Sequence, residues 1–274
     1  MANLRDAEWL ALGWFIAAAV LGLAHPLDAM RRRRILLGAA VAVAFVLFVS
    51  RLPAHGVGGA FRNVLPALFV LGAYRLSGLF FVTPQEHIER WLLAVDRRVL
   101  GPLDLERCLV RGPRWMTGVI EIAYVLVHPM LPLGAWAAWS AAGNAGVDAF
   151  WSTVFLAEAA SYSALPWIQT RPPRALEPWT EALRTVSPWR RLNEFVLRYG
   201  SNQVNTLPSG HAAGAVATAL AIASLDAALA GPFVVAAGAI LVATVVGRYH
   251  FVVDTAAGAA FAIAAWGAVT VWRG

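Results

Sequence analysis

His250 and Asp254 stand four residues apart in the stretch Gly247-Arg248-Tyr249-His250-Phe251-Val252-Val253-Asp254. On a helix that spacing puts both side chains on one face. An aspartate accepting from one imidazole nitrogen fixes the tautomer and leaves the other nitrogen as a nucleophile or base. Asp254 also opens a run that is otherwise apolar, where an ionisable residue is costly without a partner. Arg248 adds a fixed positive charge. The plainer alternative is an interfacial His–Asp pair beside a snorkelling arginine.

A second constellation lies upstream, in Asn205-Thr206-Leu207-Pro208-Ser209-Gly210-His211, just before an Ala-rich run. Ser209 is a natural helix N-cap, and Gly210 lets backbone come close to a ligand. Free N–H groups at such a helix start attract anions, and His211 beside them is placed to give or take a proton. Simple capping with an interfacial histidine is the competing account. A third piece is Gln169-Thr170-Arg171-Pro172-Pro173-Arg174. Its prolines hold the chain extended, and two guanidinium groups suit bidentate phosphate contact. Positive charge at a membrane boundary is the common alternative.

The elements that position these groups follow from hydropathy. Of 274 residues, 59% are hydrophobic and only 14% charged, and the mean hydropathy is +0.62. A soluble domain carries about 25% charged residues, so the excess apolar surface calls for a bilayer. Apolar runs of span length lie at residues 9–24, 35–52, 63–81, 116–139, 149–168, 211–229, 233–246 and 251–272. The reading is an all-α, polytopic membrane bundle of about eight transmembrane helices. Interfacial helices are expected in the two long polar connections, 82–115 and 169–210. In the first, residues 87–100 alternate charged and apolar faces at helical spacing, which fits a helix lying in the interface or one packed on protein. The run at 9–24 reads as a retained first helix, because Arg5 is offset by Asp6 and Glu8 where a secretory signal is clearly positive. Residues 1–58 read as an N-terminal two-helix addition and 59–274 as the domain that carries the chemistry.

The net charge of +6 comes from arginine alone, with no lysine. These arginines punctuate apolar runs, which argues against nucleic acid as a partner and for lipid surfaces or phosphate groups. The single cysteine, Cys108, allows neither an internal disulfide nor a cysteine-based metal site. Glu121, His128 and Glu158 fall inside apolar runs, suited to lining a headgroup cavity or to bonding between helices.

Span parity brings the three constellations together. Arg171 and Arg174 follow one span, His211 opens the next, Arg248 and His250 follow the one after, and Asp254 opens the last. All fall at one membrane face. In this order, Arg-Pro-Pro, Pro-Ser-Gly-His and His-x-x-x-Asp, the chain resembles the type-2 phosphatidic acid phosphatase superfamily. Residues 169–258 carry the resemblance well and 62–272 loosely. The stretch from Arg62-Asn63-Val64-Leu65-Pro66 to Tyr74 looks like the branch containing inositol phosphorylceramide synthases.

The resemblance implies a metal-independent mechanism without a cofactor. His250 would attack phosphorus, Asp254 would orient His250, and His211 would protonate the leaving oxygen and then activate the acceptor. Arg171, Arg174, Arg248, Ser209 and Gly210 would hold the phosphoryl oxygens. Two positions depart from the common phosphatase pattern: Ala164 stands for a Lys seven residues before the first Arg, and Thr244 for an Arg six residues before the nucleophile. Both departures fit the transferase-containing branch better.

The expected function is a lipid-phosphate phosphatase or phosphotransferase whose substrate tail enters between helices. Inositol-phosphoryl-type headgroup transfer is the nearest alternative. A vanadate-holding haloperoxidase-like site fits heavy membrane embedding poorly. A non-catalytic lipid-phosphate transporter or binding protein would not need a nucleophile, an orienter and a second histidine. The expected partners are the bilayer and a lipid phosphate or phospholipid, with no obligatory protein, and the expected location is the cell membrane. The positive-inside rule puts the site in the cytoplasm, with residues 31–34 on its side, whereas members of the resembling family usually face it outward.

Overall fold

The computed structural model describes residues 4–113, 115–177, 188–202 and 204–274. It is all-α. Among the described residues the only β pairing is an isolated antiparallel bridge between Thr170 and Asn205. The helices are α1 (Asp6–Ala24), α2 (Ala29–Ser50), α3 (Gly56–Val64), α4 (Ala67–Gly78), α5 (Glu86–Leu100), α6 (Leu105–Arg111), α7 (Trp115–Val125), α8 (Val127–Ser163), α9 (Pro173–Leu176), α10 (Pro188–Gly200), α11 (Gly210–Leu225), α12 (Ala227–Val246) and α13 (Val252–Arg273).

Among the described residues, three helix starts are capped by the side chain of the preceding residue, whereas Asp104 before α6 makes no cap bond. Asp28 Oδ1 accepts from Arg31 N at 2.8 Å, Asp226 Oδ1 from Ala228 N at 2.8 Å, and Ser209 Oγ from Ala212 N at 3.3 Å. Each cap satisfies a donor that would otherwise be orphaned.

By length and composition, five segments can cross a membrane: α1, α2, α3 with α4, α12 and α13. A sixth is the pair α7–α8, bent by 51° at Leu126. The chain is thus a multi-pass membrane protein, with fewer spans by this measure than the eight expected. The difference has two causes. α11 has only 16 residues. The long α8 is interrupted at Ala142 and Gly143, where φ is −143° and 60°. Positive φ is cheap for glycine, and the chain doubles back there. A methyl group on Gly134 would lie 2.7 Å from the Phe150 ring, whereas a straight helix would hold these positions about 24 Å apart.

α11 sits at the centre, packed by α8, α12 and α13. Apart from Ile222 its buried face is made of Gly, Ala and Thr, and small residues let helices approach closely in a membrane. The outer helices instead turn residues such as Val41, Val235 and Ile263 outward, which in this chain means toward lipid.

The two ends of the bundle differ. At one, Arg62 makes two 2.8 Å bonds to buried Glu8, Asn63 Oδ1 accepts from Arg5 at 2.8 Å, and Trp151 Nε1 donates to Asn63 O at 2.8 Å. Arg62 and Asn63 thus lock α1, α3 and α8 together, far from the histidines. At the other end Arg31 donates to Phe81 O, and Gln169 Oε1 accepts from Val82 N at 2.6 Å. The arginines of residues 31–34 therefore begin α2 at the same end as the Arg-Pro-Pro stretch.

In the first long connection, α5 buries Glu89 and Leu92 and exposes Trp91. Glu89 bonds Arg171, and Asp96 Oδ1 accepts from Val252 N at 3.0 Å. Residues 87–100 thus form an amphipathic helix that packs on protein through Glu89 and Leu92 and leaves Trp91 and Val99 exposed. In the second connection α9 and α10 are formed, and residues 178–187 lie outside the described residues.

Candidate active site

The helix starts of α11 and α13 meet. Ser209 N donates to Asp254 O at 2.9 Å, tying the Pro-Ser-Gly-His turn to the first turn of α13. The loop before α13 is pinned by Thr244, whose carbonyl accepts from both Tyr249 N and His250 N at 2.9 Å. These bonds bring the His211 and His250 rings to 5.8 Å between centroids.

His250 is buried, and its Nδ1 lies 3.0 Å from Asn205 Oδ1. The nearest Asp254 oxygen, Oδ2, is 3.6 Å away and accepts instead from Phe251 N at 2.9 Å. Asn205 Nδ2 donates to Thr170 Oγ1 at 3.0 Å, so Oδ1 is the atom that faces the imidazole. An amide oxygen only accepts, so in the neutral imidazole Nδ1 carries the proton and Nε2 the lone pair. Asp254 supplies negative charge at close range without being the hydrogen-bond partner. Asn205 heads the Pro-Ser-Gly-His string, yet its role was not legible there. It depends on the bridge to Thr170, 35 residues away.

His211 stands in a column of flat groups. Its ring stacks on Tyr124 at 4.6 Å, Tyr124 on Tyr249 at 3.6 Å, and the Arg174 guanidinium lies 5.2 Å from the Tyr249 centroid. The Tyr249 hydroxyl donates to Glu121 Oε2 at 2.6 Å, and Glu121 Oε1 accepts from Arg190 at 3.2 Å. Burial, followed by the Glu121 carboxylate, pushes the Tyr249 phenol well above its usual range. It therefore stays a neutral donor. Glu121 thus holds the column and does not face the histidines.

The arginines are not equivalent. Arg171 Nη2 lies 2.7 Å from Glu89 Oε2, with further bonds of 2.8 Å and 3.0 Å from its backbone N and Nε to Oε1. Arg248, at φ 58°, donates to Glu177 O and stands 3.7 Å from that carboxylate. Arg174 makes no ion pair among the described residues, and its backbone N donates to Arg248 O at 3.1 Å. Ser209 Oγ accepts the cap bond of α11, which leaves its O–H as a donor, and Gly210 N donates to Thr206 Oγ1 at 3.4 Å. Gly210 has to be glycine for a packing reason, because a Cβ there would lie 2.4 Å from Tyr162 Cε1. Ala164 ends α8, and Thr244 Oγ1 lies 3.1 Å from Thr255 Oγ1. Neither position offers a cation.

Six buried side-chain polar atoms have no hydrogen-bond partner among the described residues, and two of them, His211 Nε2 and Asp254 Oδ1, belong to the meeting helix starts of α11 and α13. Unpaired buried polar atoms are rare and mark places where something else binds or reacts. His211 also lines a cavity of about 280 Å³ between α4, α7, α8, α10 and α11. Leu68 and Leu71, both exposed on α4, line it too, so the cavity opens sideways toward lipid.

No curated protein and no solved structure matches the chain. The model of one family does, over residues 90–268, a stretch that holds both histidines, Asp254 and the Arg-Pro-Pro segment. The chain belongs to the PAP2 superfamily.

Proposed function

We propose that this protein is a membrane-embedded lipid-phosphate phosphatase or phosphotransferase that works through a phosphohistidine on His250. Superfamily membership supports action on a phosphoester. The observation that carries the rest is the 3.0 Å contact from His250 Nδ1 to Asn205 Oδ1. In the neutral imidazole it puts the lone pair on Nε2, on a ring 5.8 Å from a histidine whose own Nε2 is unpartnered among the described residues.

In the proposed reaction His250 Nε2 attacks phosphorus as the phosphorus–oxygen bond of the leaving alcohol breaks. His211 gives that oxygen a proton. His211 then takes a proton from water or an acceptor alcohol, whose oxygen attacks phosphorus and breaks the phosphorus–nitrogen bond. Asp254 stabilises the charge that builds on His250. Arg174 is the first cation for the phosphoryl oxygens. Arg171 and Arg248 contribute from their carboxylate pairs, and Ser209 and Gly210 from the start of α11. Residues 59–274 form the catalytic domain and residues 1–58 an addition to it, in the cell membrane.

Headgroup transfer of the inositol-phosphoryl type is the second reading, favoured by Ala164 and Thr244, which replace the cations of the common phosphatases. A transporter or binding protein would not need His250 held in one tautomer. The test is phosphate release from a panel of lipid phosphates by the protein in detergent with EDTA. Release with the parent chain and none with His250→Ala supports the proposal. No release from any phosphomonoester or pyrophosphate moves the assignment to headgroup transfer from a phosphodiester donor.

A further inference from the structure

Glu158 lies on α8 with 4% of its surface exposed, and it lines the cavity that reaches His211. Its Oε2 accepts from the Tyr162 hydroxyl. No hydrogen bond reaches Oε1 among the described residues, although a carboxyl oxygen accepts in either protonation state. The room for this group is built in: a methyl on Gly214 would lie 2.0 Å from Oε1. Gly214 is three residues along α11 from His211, about 4.5 Å of helix rise. Among the other polar side chains of the lining, Tyr74 is occupied by Asn202 N at 2.8 Å and Ser201 Oγ at 3.1 Å, Tyr124 is stacked between His211 and Tyr249, and His128 stands edge-on to His211 at 5.8 Å. Toward Leu68 and Leu71 the lining becomes apolar. Glu158 Oε1 is thus an acceptor that the cavity leaves open to a ligand hydroxyl.

We propose that Glu158 is a specificity-determining residue. Its Oε1 accepts from a hydroxyl on the carbon next to the ester carbon of the leaving lipid alcohol, while His211 serves the ester oxygen and the chain leaves past Leu68 and Leu71. This rests on the phosphohistidine reading for the role of His211. It selects glycerol-like lipid alcohols with a free neighbouring hydroxyl over plain long-chain alcohols. Sites built to bond a hydroxyl reject the analogue that lacks it much more strongly than apolar pockets reject size changes.

The test is binding of the product alcohol, which needs no turnover. A monoacylglycerol and its analogue lacking the neighbouring hydroxyl, matched in chain length, are titrated into the full chain in detergent. The parent should bind the monoacylglycerol at least about tenfold more tightly, equivalent to about 1.4 kcal/mol. Glu158→Leu should bind the two alike, and Glu158→Gln, which keeps an acceptor, should recover part of the preference. If Glu158→Leu does not fold, Gly214→Ala, which displaces the carboxyl, should lose the preference in the same way. Equal binding by the parent, or a preference that survives Glu158→Leu, overturns the proposal. Absence of phosphate release would instead count against the phosphohistidine reading, and the binding comparison would still decide the role of Glu158.

Discussion

The hydrogen bond of His250 runs to Asn205 and not to Asp254: Nδ1 is 3.0 Å from the amide oxygen and 3.6 Å from the nearest carboxylate oxygen. In this geometry Asn205 fixes the tautomer and Asp254 supplies the charge. Asn205 is a positioning residue, so its loss should lower kcat more than it raises KM. Asn205→Ala should lower kcat by roughly 10- to 100-fold, in line with about 1–3 kcal/mol for a buried partner removed. Asn205→Asp, which puts a second anion beside the ring, should shift the kcat–pH profile to higher pH as the imidazolium is stabilised. An unchanged profile in Asn205→Asp, with kcat intact in Asn205→Ala, would show that Asn205 does not orient the nucleophile.

Arg171 and Glu89 should behave as a structural pair. Burial, the largest influence on Glu89, raises its carboxyl, but the hydrogen bonds and charge of Arg171 outweigh it and hold the group below its ordinary 4.5. A depressed folded-state value means the stabilisation is present above about pH 4.5 and is lost as pH falls through the folded value. Thermal unfolding in detergent should show this acid loss in the parent and a weaker one in Glu89→Gln. Arg171→Ala should lower the unfolding temperature at neutral pH by leaving Glu89 buried without its cation.

Asp96 should act in the opposite sense. Burial raises its carboxyl from 3.8 to about 6; the Val252 N–H opposes this, the Asp254 carboxylate adds to it, and Arg248 opposes it. A raised folded-state value gives stabilisation that is full below about pH 4 and is lost as pH rises through about 6. Asp96→Asn keeps an acceptor for Val252 N, so it should raise the unfolding temperature above pH 6 and flatten its fall between about pH 4 and 6. An unchanged pH profile in Asp96→Asn would rule out this assignment.

The orientation of the protein can be read from its one cysteine. Cys108 is exposed on α6, between α5 and α7, at the end of the bundle that carries the site. The arginines of residues 31–34 lie at that same end, through the bond from Arg31 to Phe81 O. The positive-inside rule predicts that this end is cytoplasmic. A membrane-impermeant maleimide should therefore label Cys108 only after cells are opened. Labelling of intact cells would place the site outside.

Much of this was legible in the sequence, for identifiable reasons. His211, His250 and Asp254 announce themselves because ionisable residues at the ends of apolar runs are costly, and parity alone puts them at one face. The turn near Asn144 and the helical class follow from hydropathy. What was not legible depends on contacts between distant segments. Asn205 reaches His250 only because it pairs with Thr170. The partners of Arg171 and Arg248 are Glu89 and Glu177, and no local spacing distinguishes these from free phosphate ligands. The stretch from Arg62 resembled one branch of the family, but it lies outside the matched residues 90–268, and Arg62 and Asn63 serve a buried network with Glu8 and Arg5 at the far end of the bundle. The bend at Leu126 lies three residues before Pro129, which cannot donate to the Val125 carbonyl; hydropathy alone registers the length of that run but not its direction.

The central claim is that His250 is the nucleophile, and trapping the intermediate tests it most directly. The protein in detergent with EDTA is quenched early in a single turnover with a lipid phosphate, and peptide mass spectrometry locates the phosphoryl group. The account predicts an acid-labile, alkali-stable adduct on the peptide carrying His250, absent from His250→Ala, which should also release no phosphate. An adduct on another residue, or phosphate release that survives His250→Ala, would contradict it.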